Sequence, residues 1–296
     1  MAGFFSDLLS IATLVFAVSS MLAVGFRYTL REIIDPLRNT RLLVSALLAN
    51  FVLVPALAYL ITEALSFGDD REVGLLVVAA AAGAPFLIKL AQMAGADIAT
   101  AAGLLVLLLV VTIGYMPLVV PLIAPEADVS ATDIAIPLLM TMLLPLVVGM
   151  VVDQLFPALA HRLLPILGIL SNAALVALLV STVIANFDQL VNVLGTGAIL
   201  AALLFIVGAF FIGHLLGRTG RGTRDEMALA TAQRNIAAAT VVATQSIGVP
   251  DTTVMVVVTS TVGMAILFPV ASLLRRRVEA ESPTDNARRA GTGAPG

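Results

Sequence analysis

Nine stretches of this chain, each long enough to cross a bilayer as a helix, carry almost no charge. A helix needs about 20 apolar residues to span the hydrocarbon core, and an unpaired backbone is not tolerated there. The runs lie at 6–26, 40–64, 73–94, 98–124, 133–152, 165–186, 196–216, 227–247 and 251–274. The chain is 60% hydrophobic and 12% charged, whereas soluble domains hold about 45–50% and about 25%. Too little polar surface is available to cover a soluble core. The chain reads as an all-α polytopic membrane protein with about nine transmembrane helices, its first partner the lipid bilayer.

The first run reads as a span, not a cleavable leader. It lacks a basic start, and Arg27 and Arg31 follow where small residues would mark cleavage. There is no cysteine, which excludes disulfides, thiolate metal sites and thiol catalysis. A net charge of −3 points to no nucleic acid. Orientation follows from arginine placement. With the N-terminus outside, Arg27, Arg31, Arg38, Arg41, Arg162, Arg218, Arg221, Arg224 and the arginines of the tail fall inside, and only Arg71 falls outside. The expected location is the cytoplasmic membrane, with the C-terminus cytoplasmic.

Two segments share one pattern. GAPFLIKLAQMAGADIATAAGLLVLLLVVTIGYMPLVVP (83–121) and AQRNIAAATVVATQSIGVPDTTVMVVVTSTVGMAILFPV (232–270) each have a weakly apolar first half and a small-residue break. The breaks are placed at Gly95 to Asp97 and at Gly248 to Asp251, including Pro250. A long apolar helix ending near a proline follows each. The span count gives the two long helices opposite directions, the pattern of inverted-repeat transporters. Residues 1–125 then form a first repeat of four crossings, 126–275 a second of five, and 276–296 a disordered cytoplasmic tail.

Lys89 and Arg234 stand inside spans, at a cost of roughly 2.5–3.5 kcal/mol each on insertion scales. Each belongs to one of the related broken elements, so both are expected at one central cavity. Gln233 and Asn235 flank Arg234 and suggest a hydrogen-bonded site. Asn50, Thr231 and Gln245 are further polar candidates for binding substrate or ion, set against the ordinary role of such residues as glue between helices. Asp97 and Asp251 suit the caps of the helices that follow them.

LRNTRLLVSALLANFVLVPALAYL, MLLPLVVGMVVDQLFPALAHRLLPILGILSNAAL and ATAQRNIAAA together resemble the bile acid:sodium symporter family, in order and spacing over about residues 10–275. The resemblance implies a panel domain, a core domain with two crossing broken helices, and sodium-coupled uptake of organic anions. It also implies departures. Leu87, Ile88, Ala101, Leu105 and Ala230 stand where sodium-coupled members carry oxygen-bearing side chains, and Arg234 stands at a glutamine. A hard cation needs oxygen ligands. The expected function is a secondary transporter of a small organic anion whose first sodium site is lost and replaced by Lys89 and Arg234. The alternative is an ordinary sodium symporter using backbone carbonyls with Asn50, Thr231, Gln233 and Asn235. No cofactor or resident metal is expected; sodium or a proton is the candidate coupling ion, and Lys89, unlike arginine, can release a proton. A metalloid carrier would need a membrane cysteine. His161 and His214 fit no intramembrane enzyme, so no catalytic residue is assigned.

Overall fold

Backbone groups held away from water must pair internally, so the apolar runs become helices. The computed structural model describes residues 2–125, 130–185, 187–217 and 221–291, with no strand among them. In chain order come α1 (Ala2–Gly25), α2 (Leu30–Ile34), α3 (Thr40–Leu48) and α4 (Val54–Leu65). Then follow α5 (Asp69–Ala80), α6 (Phe86–Ala94) and α7 (Ile98–Ile123). The next group is α8 (Ala131–Leu138), α9 (Leu144–Leu155), α10 (Pro157–Ala185), α11 (Phe187–Asn192) and α12 (Ala198–Leu216). The chain closes with α13 (Arg221–Ala232), α14 (Ile236–Val241), a π-helical turn (Val242–Ile247) and α15 (Pro250–Gly291).

Some of these are pieces of one helix. α3 and α4 are joined by a π-helical turn at Ala49–Leu53. Pro55 supplies the reason: it has no N–H to give the carbonyl four residues back. That carbonyl, of Phe51, accepts the Tyr115 hydroxyl at 3.1 Å instead. α8 and α9 are joined in the same way through Leu139–Leu143, ahead of Pro145. Among the described residues, 6 helices are long and apolar enough to cross a membrane, and α1 adds a shorter apolar stretch, Ile11–Gly25. Two further passages are each built from two short helices, α5 with α6 and α13 with α14. Together these match the nine spans read from the sequence.

Packing sorts the helices into two bodies. α1 lies along α9 and α10. In the other body α12 packs on α4, α13 and α15, and α15 packs on α5 and α6. This second body holds both bipartite passages. Outward-facing Leu118, Leu122 and Ile169 leave an apolar exterior suited to acyl chains.

Two details differ from expectation. The loop expected between the fifth and sixth spans is Phe156 alone, because Pro157 is already set for a first helical turn; His161 and Arg162 extend α10. The tail expected to be disordered from residue 276 continues α15 to Gly291. Its Arg, Glu and Ala are good helix formers, and they extend a helix already nucleated. Arg218, counted for orientation, lies outside the described residues.

Candidate functional site

The mid-passage interruptions lie elsewhere than the glycine-rich turns suggest. Gly95 and Gly248 are left-handed caps, φ +67° and +72°, that end α6 and the turn after α14. Asp97 caps α7 by accepting the N–H groups of Ala99 and Thr100. Pro250 opens α15, and Asp251, rather than capping it, pairs with Arg71 at 3.1 Å. These are turns between consecutive passages. The helices are interrupted at 81–85, between α5 and α6, and at 233–235, between α13 and α14. Ala79 to Ala82 hide the first interruption, since alanine favours helix more than any other residue. Tertiary hydrogen bonds impose it.

The two interruptions are bonded to each other. The Asn235 N–H donates to the Ala81 carbonyl at 2.8 Å, and its side-chain amide donates to the Gly83 carbonyl at 3.0 Å. Asn235 Oδ1 caps α14 through the Ala238 N–H at 3.1 Å. From α7, the Thr112 hydroxyl accepts the Ala82 N–H and donates to the Ala82 carbonyl, each at 3.1 Å. Thr112→Val keeps the shape and deletes both bonds. The expected loss is roughly 1–3 kcal/mol, read as a lower Tm in detergent with helicity retained by circular dichroism.

Arg234 sits within this crossing, 2% exposed. Its Nε donates to the Val78 carbonyl at 3.3 Å, and its Nη2 donates to that of Ala79. Its Nη1 donates to Asn50 Oδ1 at 2.7 Å and to the Thr231 carbonyl at 3.4 Å. Val78 and Ala79 close α5, and Thr231 closes α13. The guanidinium therefore caps the carbonyl ends of both half-helices, where intrahelical donors run out and the dipole is negative. A rigid fork of five donors suits this arrangement. No carboxylate of the described residues lies within ion-pair reach of it.

The polar residues singled out from the sequence gather here. Asn50, buried at the π-helical turn, also donates to the Ala46 carbonyl at 3.0 Å and to Thr231 Oγ1 at 3.4 Å. Gln233 donates to the Arg234 carbonyl at 3.2 Å. The Gln245 side chain lies outside the described residues. Leu87, Ile88, Ala101, Leu105 and Ala230 are all buried and bring no side-chain oxygen. Glu226, passed over in the sequence, is buried on α13 and accepts the Asp97 N–H at 2.8 Å.

Lys89 is elsewhere. It lines a cavity of about 310 Å³ between the two bodies, which no residue of the 233–235 triplet lines. Gln92 joins it from α6, Arg27 and Tyr28 from the chain after α1, and Ser20 and Ser171 from α1 and α10. The two serine hydroxyls lie 2.7 Å apart. Burial pushes the Tyr28 phenol up, so it stays a neutral donor. The two cations within the spans thus part company: buried Arg234 seals the crossing, and half-buried Lys89 faces a cavity.

Residues 14–193 match the family described as the Sodium Bile acid symporter family. Over 202 residues the chain is 24% identical to the probable sodium/metabolite cotransporter BASS2, chloroplastic, of Oryza sativa subsp. japonica. The similarity covers 67% of this chain and 47% of the rice protein, so the chain spans about half the length of this relative.

Proposed function

The chain belongs to the sodium bile acid symporter family, and from that premise we propose that it is a secondary transporter of a small organic anion in which the guanidinium of Arg234 takes the place of the first sodium ion. The observation that carries this reading is a buried cation on the carbonyl ends of both half-helices, without a carboxylate partner among the described residues. A tethered cation offsets those dipole ends permanently, as a bound ion would do only while bound. The buried Leu87, Ala101, Leu105 and Ala230, at positions where the resemblance implies sodium ligands, carry no side-chain oxygen. Transport proceeds by alternating access between the two bodies. The protein lies in the cytoplasmic membrane with its C-terminus inside, and the chain is organised as two inverted repeats.

The family and the rice relative's name favour a second reading, sodium symport through backbone carbonyls with Asn50, Thr231, Gln233 and Asn235. Against it, the Asn50, Thr231 and Asn235 side-chain oxygens already accept hydrogen bonds. Reconstituted liposomes decide between them, with uptake of radiolabelled carboxylates and sulfonates followed in sodium or choline buffer. Equal uptake in the two buffers is expected. Uptake that rises saturably with sodium would overturn the replacement and restore the symporter. Uptake that follows an imposed pH gradient instead would assign coupling to a proton, with Lys89 as its candidate carrier.

A further inference from the structure

The cavity beside Lys89 has a charge pattern that transport of an unspecified anion does not explain. Its described lining holds two cations, Arg27 and Lys89, and no aspartate or glutamate. Neither cation forms an ion pair among the described residues: Arg31 and Arg38 share Asp35, and Arg71 takes Asp251. Two carboxylates in the neighbouring turns are engaged locally, Glu32 by Thr29 and Asp97 by the start of α7. Like charges facing one cavity repel, and a ligand of opposite charge between them relieves that repulsion.

The cations also come from different bodies. Arg27 follows α1, which the Ser20–Ser171 hydrogen bond ties to α10. Lys89 belongs to α6, downstream of the first interruption. A ligand that engages both is a bridge across the seam. The cavity, about 310 Å³, has room for a small organic acid. Val24, Ile88, Leu164 and Pro165 provide apolar wall for a short aliphatic spacer.

We infer that this cavity binds a small doubly charged anion of the dicarboxylate class, one anionic group on Arg27 and the other on Lys89. The inference rests on the transporter reading and narrows its substrate. Arg27 offers a planar fork that matches a carboxylate in two bonds, and Lys89 offers a point charge. Tyr28 and Gln92 add neutral donors. A dianion neutralises both cations at once and draws the two bodies together. A monoanion leaves one of them unanswered.

The test uses the purified full chain and two probes of equal carbon number, succinate and butyrate, as choline salts at matched ionic strength. Thermal shift in detergent reads binding. Succinate is expected to stabilise the protein saturably, with an apparent Kd at least tenfold lower than that of butyrate. Arg27→Gln and Lys89→Gln should each bring the two probes to equal affinity, while Arg27→Lys keeps the preference. Arg27 is exposed, so Arg27→Gln should leave the ligand-free protein folded and the comparison readable. Equal affinities in wild type, or a preference that survives Arg27→Gln, overturns the inference. Liposome uptake separates the two levels. Carriage of a monoanion without succinate binding leaves the transporter reading standing and removes the dianion; carriage of no carboxylate or sulfonate at all removes both.

Discussion

Arg234→Met is expected to lower stability by roughly 3–5 kcal/mol, since a buried acceptor left without its donor costs about 1–3 kcal/mol and several lose theirs at once. Four acceptors lose their donor together: the carbonyls of Val78, Ala79 and Thr231, and Asn50 Oδ1. Those carbonyls end two half-helices, so their negative dipole ends then face each other without a cation between them. Arg234→Lys keeps the charge but not the fork, and should recover only part of the loss. Arg234→Gln is the sharper variant. It removes the charge and adds an oxygen beside the freed carbonyls, so its Tm should rise with added sodium while that of wild type does not. A near-wild-type Tm for Arg234→Met would show that the crossing holds without a cation.

Gly83→Ala is the second large effect. Gly83 has φ +75° in the first interruption. A Cβ there would stand 2.3 Å from the Leu109 backbone nitrogen and 2.7 Å from its Cα. Backbone cannot swing aside as a flexible side chain can. The left-handed conformation costs a residue with a Cβ about 1–2 kcal/mol, and overpacking adds about 1–3 kcal/mol. Gly95→Ala is the internal control. Gly95 has φ +67°, but the nearest atom to its Cβ would be Arg275 Cγ at 3.9 Å, so only the conformational cost applies. Tm in detergent should fall markedly further for Gly83→Ala than for Gly95→Ala. Equal shifts would mean that the first interruption yields and does not need its close contact with α7.

The spans were legible because a bilayer asks so little of a sequence: length, apolarity and few charges. The Gln233-Arg234-Asn235 triplet was legible for the converse reason, since charge in hydrocarbon needs a cause. What answers Arg234 was not. Two of its acceptors are the carbonyls of Val78 and Ala79, and an acceptor common to every residue leaves no mark in the chain. The same blindness moved the interruptions. Gly95 and Gly248 advertise their left-handed caps, whereas the break at Ala81 is made by Asn235 and Thr112, far away in sequence. Gly83-Ala84-Pro85 was the available signal. Lys89 was placed beside Arg234 by analogy between the two segments, yet it lies beyond the first interruption and faces the other body. Arg27 was read only as a marker of sidedness, because nothing local distinguishes a charge at a cavity mouth from one in a loop.

Helices of the first body touch backbone to backbone. A Cβ on Gly25 would meet the Leu146 carbonyl oxygen at 2.4 Å, and one on Gly149 would meet that of Leu22 at 2.7 Å. The second body is pinned by the hydrogen bonds of its crossing. Contacts between the bodies include the Phe16 and Phe86 rings, which meet edge-on at 6.4 Å, and the Asn235 amide, which donates a weak hydrogen bond to the Met142 sulfur at 3.1 Å. Rings and thioethers attract from many angles and lock into few. In the alternating access proposed above, movement along that seam leaves the hydrogen bonds of the crossing and the close helix contacts of the first body intact, so the exchange asks no helix to melt.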